Sequence, residues 1–363
     1  MKVLHVETGR HFYGGPQQVI YLLRGLQESG VQTVLACVAG SDIDKAARGL
    51  DIKVYNLPSA GDLDITLIWW LRQILRWETP DLMHCHSRRG ADLLGGIAAR
   101  LGRVPAVVSR RVDHPEPGFV AGIRYHPFCR IIAISENVAA SLEESGVDAD
   151  RMTVIRSAVD FQRFQHEPDR ARLRQKFAVP DSDYVVASIG QLIPRKGHRY
   201  LLEAMGELRH TLPQLRLIVF GEGALEAELQ EQARRLELLD KVQFAGFHDD
   251  LDDYLGGFDL VVHPALREGL GVSMLKAAAA GVPVVAFDVA GAREAVVDGV
   301  TGLLVTPKDS AALGQSIARL LGDDALRRSL GSAARQRMRE EFSIETMVTR
   351  HAQLYDAILN NTA

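Results

Sequence analysis

The stretch Arg267-Glu268-Gly269-Leu270-Gly271-Val272-Ser273-Met274-Leu275-Lys276-Ala277-Ala278-Ala279-Ala280-Gly281-Val282-Pro283-Val284-Val285 passes from loop to helix to strand. Apolar Val261-Val262 precede it, and Glu268 falls in a short loop with Gly269 and Gly271. The pattern predicts a helix opening near Val272 and Ser273, because Met274 and the residues up to Ala280 are good helix formers. Gly281 stands where a left-handed cap belongs, and Pro283 blocks continuation. Val284-Val285-Ala286-Phe287 then reads as a buried strand. Strand, glycine loop, helix, strand is the repeating unit of an α/β protein. Glycines at 269 and 271 let the backbone approach a ligand, and the helix start at Val272 offers unpaired N–H groups to an anion. Glu268 would not touch that anion and suits hydroxyl groups, such as those of a sugar. On this stretch alone, an ordinary βαβ turn with a surface glutamate stands beside the ligand-site reading.

Working outward, 363 residues favour two domains over one. The apolar share of 47% and charged share of 24% are those of a water-soluble globular chain with room for two cores. A net charge of −4 implies no global attraction to nucleic acid. The charge is uneven, however. From His84 to Arg130 stand Arg88, Arg89, Arg100, Arg103, Arg110, Arg111, Arg124 and Arg130, against only Asp92, Asp113 and Glu116. Cys37, Cys85 and Cys129 show no metal-ligand spacing and suggest a reducing cytosol. The chain opens on the strand Lys2-Val3-Leu4-His5-Val6, which predicts no export signal. No apolar run approaches the about 18 residues of a membrane span.

The first half begins with strand, glycine loop and helix: Val3 to Val6, then Gly14-Gly15, then Pro16 in the first helical turn. This is a doubly wound beginning without the dinucleotide fingerprint, and Gly14-Gly15 reads either as an anion site or as a tight turn. A helix is predicted over residues 67–78, with Leu67, Ile68, Leu71, Ile74 and Leu75 facing the core. Trp70 and Trp77 flank that face and are expected half-buried; Trp69 points away, beside Arg72 and Arg76. Exposed Trp among Arg is the composition of a membrane-interface face, and packing on a neighbouring loop is the plainer alternative. His84-Cys85-His86 ends a strand, followed by Arg88-Arg89; a helix is expected over residues 91–100. Arg110-Arg111 end the next strand. In open α/β sheets ligands sit at the carboxyl ends of strands, so His86 and both Arg pairs are candidate site residues.

A polar segment, residues 160–169, separates the halves. The second half restarts with Tyr184 to Gly190, and Gln191-Leu192-Ile193-Pro194-Arg195-Lys196-Gly197 is a loop with two cations. Strands over residues 215–220 and 242–244 alternate with helices expected over 224–238 and 251–256. A last helix from Ile344 places Met347, Val348, His351, Leu354, Tyr355, Ile358 and Leu359 on one face.

Several motifs now stand in one order. Gly14-Gly15, His84-Cys85-His86, Val154-Ile155-Arg156-Ser157-Ala158-Val159-Asp160, Gly190 to Gly197, Phe220-Gly221-Glu222-Gly223, Arg267 to Pro283 and Gly291-Ala292-Arg293-Glu294 span nearly the whole chain. Together they resemble the retaining GT-B glycosyltransferases of family 4. That resemblance implies two facing Rossmann-like domains: an acceptor-binding domain over residues 1–163 and a nucleotide-sugar domain over 164–343. A C-terminal helix, 344–363, would cross back onto the first. It further implies a nucleotide-sugar donor, with Gly14, Gly15 and Gly190 approaching the diphosphate or the reacting centre. Lys196 and Arg195 would neutralise the leaving group. Glu268 would grip sugar hydroxyls, and the N–H groups of Gly269, Gly271 and Val272 would cradle phosphate. His86 would orient the donor sugar, and Glu294 the loops. No cofactor and no metal are implied.

Two departures matter. Lys276 stands where the family carries its second Glu, whose oxygens accept from a ribose; a charged Lys accepts nothing, so either ribose binding is altered or Lys276 pairs with a neighbouring carboxylate. Gln191 replaces an Arg, whose charge Arg195 would supply. The reading is a retaining hexosyltransferase using a UDP-sugar, acting on an anionic envelope saccharide or lipid-linked acceptor. Arg88, Arg89, Arg110 and Arg111 would hold that acceptor, unless they only pair with the acidic second domain. It would work in the cytoplasm at the inner membrane face, as a peripheral protein. The alternatives are a catalytically weakened or non-catalytic relative and a GT-B sugar-nucleotide epimerase.

Overall fold

The computed structural model describes residues 1–10, 14–58, 64–87, 90–166 and 168–360. They form two compact units: Met1–Ala158 with Ile344–Ala363, and Val159–Ser343.

Unit 1 carries strands β1 (Lys2–Glu7), β2 (Gln32–Val38), β3 (Lys53–Leu57), β4 (Leu82–Cys85), β5 (Ala106–Arg110), β6 (Arg130–Ala133) and β7 (Met152–Val154). Between them run helices α1 (Gly14–Glu28), α2 (Asp42–Ala47), α3 (Thr66–Glu78), α4 (Gly96–Gly102), α5 (Gly118–Tyr125) and α6 (Glu136–Glu144). The sheet is parallel, in the order β3-β2-β1-β4-β5-β6-β7. The order reverses between β1 and β4, and a crevice opens at the carboxyl ends of strands where it does. Unit 2 repeats the plan. Helix α7 (Arg170–Lys176) leads in, followed by β8 (Tyr184–Ile189), α8 (His198–Leu208), β9 (Leu215–Phe220), α9 (Glu226–Arg235) and β10 (Val242–Gly246). Then come β11 (Leu260–His263), α10 (Val272–Ala279), β12 (Val284–Phe287), α11 (Ala290–Ala295), β13 (Gly302–Val305), α12 (Ser310–Gly322) and α13 (Asp324–Glu341). Its order is β10-β9-β8-β11-β12-β13, so the reversal lies between β8 and β11.

The last helix, α14 (Ile344–Asn360), packs in unit 1. Met347, Val348, Tyr355 and Ile358 join Val3, Leu22, Leu82 and Val107 in one core cluster. Each such aliphatic side chain contributes about 1.5–3 kcal/mol on leaving water.

Three expectations need correction. Residues 251–256 form two short 3-10 turns, Leu251–Asp253 and Leu255–Gly257, because Gly256-Gly257 disfavour a continuous helix. The helix over 91–100 opens instead with a π-helical turn, Ala91–Gly95. Trp77 is 61% exposed rather than half-buried, and it stacks on Tyr55 at 6.1 Å. Trp69 is 54% exposed, as its position on the helix requires. The long α13 carries no broad apolar stripe; its buried Leu330, Ala334 and Met338 recur only every four residues. No helix among the described residues is long and apolar enough to cross a membrane.

Candidate active site

Each unit carries a polar cluster at its own point of strand reversal. In unit 2 the chain leaves β8 through Gly190 and turns at a 3-10 segment, Pro194–Lys196. Gly197 then takes the left-handed conformation, φ +68°. A Cβ there would lie 1.9 Å from the carbonyl oxygen of Pro264, so only glycine lets this loop press against the one after β11. A backbone bond from Leu266 N to Arg195 O, 2.8 Å, ties the two loops. The stem of Lys196 packs over Gly190. Its ammonium forms an ion pair with Glu268, and both side chains are nearly buried. His263 Nε2 lies 2.9 Å from Glu268 Oε2. Burial pushes the Glu268 carboxyl up, but the hydrogen bond from His263 and the charge of Lys196 outweigh it and hold it well below its usual range. A carboxylate only accepts, so His263 donates from Nε2.

Gly291 of α11 closes the other side: a Cβ there would fall 2.0 Å from the Glu268 carbonyl oxygen. Glu294, on the same helix, is partly buried. Helix α10 starts at Val272 behind Gly271, with no side-chain cap and no acidic residue in its first turn. Its first N–H groups therefore remain available to an anion. The Arg195 side chain makes no hydrogen bond or ion pair among the described residues, and its charge acts on His263. Lys276 is committed elsewhere: Nζ lies 3.0 and 2.9 Å from the two oxygens of Asp252. Arg163 donates to the same carboxylate at 3.2 Å.

In unit 1 the parallel register pairs His5 with His84 across β1 and β4. The period of two along a strand puts His86 on the same face. His5 Nδ1 lies 3.0 Å from His86 Nε2. His84 is bonded at both nitrogens, Nδ1 to Tyr355 Oη at 2.6 Å and Nε2 to Ser109 Oγ at 2.8 Å. Burial lowers all of these imidazoles: His5 to about 3, His84 and His86 well below the usual range. Burial likewise takes His351, on α14, to about 4. They are neutral at pH 7. Three buried atoms here have no partner among the described residues: His5 Nε2, His86 Nδ1 and Arg111 Nε. An unfilled buried polar atom costs about 1–3 kcal/mol. Arg111 also contacts the start of α1, where a Cβ on Gly15 would lie 3.4 Å from its Cδ. Burial takes the Arg111 guanidinium down to about 10, against the pull of Glu7. Gly14 opens α1 at the surface.

Nitrogens of His5, His84 and His86 lie within 4.8 Å of one another, close enough to suggest a metal. The donor set does not fit one. Both nitrogens of His84 are taken, and the charge of Arg111 acts on His84 and His86.

Arg110 and Arg111 have opposite fates. Arg110 is 3% exposed; Nη1 binds Glu116 at 2.6 Å, and Nε and Nη2 bind the carbonyls of Val112 and His114. It is therefore a structural arginine and not free for an acceptor. Its ion pair lies within its own unit, where Arg124 joins Glu116 to Asp92. Arg88 and Arg89 lie outside the described residues.

Residues 169–337 match the family described as Glycosyl transferases group 1, and residues 13–163 match Glycosyltransferase Family 4. The GDP-mannose-dependent alpha-(1-6)-phosphatidylinositol monomannoside mannosyltransferase of Mycolicibacterium smegmatis is 34% identical over 293 residues, 72% of each chain. The chain belongs to the group 1 glycosyltransferases. The lipopolysaccharide core biosynthesis glycosyltransferase LpsE of Rhizobium meliloti is 27% identical to this glycosyltransferase over 98% of both chains. The crystal structure of Anabaena HepE in complex with UDP-glucose shares its fold, with TM-score 0.87 at 23% identity over 98% of this chain and 100% of that one. Its two-sheet α/β architecture is that of the GT-B enzymes.

Sequence reasoning about this glycosyltransferase missed His5, His263, Tyr355 and Asp252 as partners of the named residues. His5 and His263 carried a signal, since each is a lone polar ring beside apolar strand residues. Tyr355 and Asp252 carried none, because their partners are set by packing.

Proposed function

We propose that this glycosyltransferase moves a hexose, with retention, from a nucleoside-diphosphate sugar to an anionic saccharide of the bacterial cell envelope, such as lipopolysaccharide core. The donor is a UDP-sugar first. One arrangement carries the reading: Lys196, Glu268 and His263 brought together at the β8/β11 reversal, in the loop that leads into the uncapped start of α10. Breaking a glycosyl–phosphate bond develops negative charge on the leaving diphosphate. Lys196, Arg195 and the N–H groups near Gly269, Gly271 and Val272 would receive it. On binding, Lys196 turns from Glu268 to the phosphate. Glu268, still ionised and held by His263, then accepts from sugar hydroxyls. His86 orients the donor sugar through Nδ1. The acceptor hydroxyl attacks from the leaving-group face, and its proton passes to the departing phosphate oxygen. These side chains supply the charge stabilisation without a metal.

The similarity to a UDP-glucose complex supports UDP, and the LpsE relative supports a core saccharide. Arg111 is the arginine best suited to an acceptor anion, since its guanidinium is desolvated and its Nε is unpartnered among the described residues. Work at the inner membrane face would use Trp69, with Arg72 and Arg76. Lys276, bound to Asp252, favours one second reading, a relative weakened in ribose binding. Thermal shifts with UDP, GDP, ADP and CMP, followed by transfer assays and NMR of the product anomer, decide between them. A shift with UDP and an α-product from an α-donor are expected. Stabilisation by GDP alone overturns the donor; no transfer from any nucleotide sugar favours the weakened relative.

A further inference from the structure

Among the described residues, the ring of His86 is hydrogen-bonded by His5 alone. The His5 ring is fully buried, and the two imidazoles lie near-parallel, 10° apart with centroids at 5.3 Å. On its other side His86 lies 3.7 Å, centroid to centroid, from His84, which Tyr355 and Ser109 hold at both nitrogens. His86 thus has one ring nitrogen engaged, Nε2, and one buried and, among the described residues, unpartnered, Nδ1. We propose that His5 is a positioning residue for His86: by holding Nε2 it makes Nδ1 the atom that meets substrate, and the group met there is a neutral hydroxyl. This rests on His86 facing the donor sugar.

The chemistry of the pair selects the ligand class. Burial keeps both rings neutral, so one proton lies between His5 Nδ1 and His86 Nε2. If His5 donates, both rings carry hydrogen on Nδ1, and His86 offers a donor to the ligand. If His86 donates, both carry hydrogen on Nε2, and His86 offers an acceptor. The two rings must therefore share one tautomer. A hydroxyl donates and accepts, so it satisfies Nδ1 in either state. An anion would need the donor state alone, and a cation is opposed by Arg111, whose charge acts on His86.

Three measurements test the assignment. Long-range 1H–15N spectra of ring-labelled full-length protein should show His5 and His86 neutral and in the same tautomer at pH 7. His5→Phe keeps a buried ring but removes the bond. It should leave the UDP Kd within about twofold while lowering kcat about tenfold or more, and should redistribute the His86 tautomers. His5→Asn, whose amide sits near the lost Nδ1, should recover most of kcat. Opposite tautomers in the wild type, or an unchanged kcat in folded His5→Phe, overturns the proposal. If His5→Phe does not fold, the wild-type spectra and His5→Asn decide it. If the wild type transfers no sugar at all, the donor reading fails, and the spectra still decide whether His5 holds His86.

Discussion

Lys196 and Glu268 stand 72 positions apart in the chain and form an ion pair within unit 2. Gly197 makes the pair reachable, since any side chain there would collide with Pro264. The same lysine is the proposed diphosphate ligand, so the pair holds its charge in place before the donor arrives. Lys196→Ala should weaken UDP binding by ~1–3 kcal/mol, the range for a charge-assisted contact. Isothermal titration measures it, and an unchanged Kd removes Lys196 from the donor site.

Lys276→Glu would set two carboxylates against each other at Asp252. Arg163 still donates to Asp252, which limits the damage. Helix propensity changes little. We expect a loss of ~1–3 kcal/mol, between the values for exposed and buried pairs. Lys276→Glu with Asp252→Asn should recover most of it in urea unfolding. If position 276 lies beside the ribose, the double variant should also shift nucleotide preference. Identical affinities for every nucleotide would place it outside the donor site.

Adjacent arginines should separate cleanly. Arg110→Gln leaves Glu116 short of a buried partner and should cost ~2–4 kcal/mol of stability. Arg111→Gln breaks no hydrogen bond or ion pair among the described residues and should leave Tm nearly unchanged. It should raise the acceptor KM while the donor KM stays constant. A change confined to donor KM would transfer Arg111 to the donor side.

Stability should fall as the solution is acidified below neutrality. His5, His84, His86 and His351 have folded values below the ordinary 6.5, so the unfolded chain takes up protons that the folded chain refuses. Their contribution is complete above pH 6.5. It declines as pH falls toward the folded values, about 3 for His5 and about 4 for His351. Each refused proton costs about 1.4 kcal/mol per pH unit. Urea unfolding between about pH 7.5 and about pH 5.5, one unit either side of that onset, should show this slope. His351→Gln should make it shallower; a flat profile would mean that the imidazoles are not held neutral.

Exposed Trp69 and Trp77 lie on α3, whose last turn carries Arg76. Vesicle sedimentation should show more binding to anionic than to neutral liposomes, reduced in Trp69→Ala with Arg76→Gln. Equal binding to both vesicle types, or none, would count against a membrane face.

Much of this protein was legible in its residues. Strands such as Val284-Val285-Ala286-Phe287, the Gly271-to-Val272 helix start and the Gly281 stop depend on periodicity and turn chemistry acting over a few residues. His86, Glu268 and Lys196 were legible as candidates because each sits at a strand or loop end of a recognisable motif. Their partners were not. Alternation along β5 says that Arg110 and Arg111 point apart, but not which of them meets Glu116. The polar character of His5 is visible in Val3-Leu4-His5-Val6, yet its bond to His86 exists only because β4 pairs beside β1. Local sequence determines what a segment becomes. Sheet order and register determine which side chains meet, because those contacts join residues as far apart as His84 and Tyr355, which no local pattern encodes.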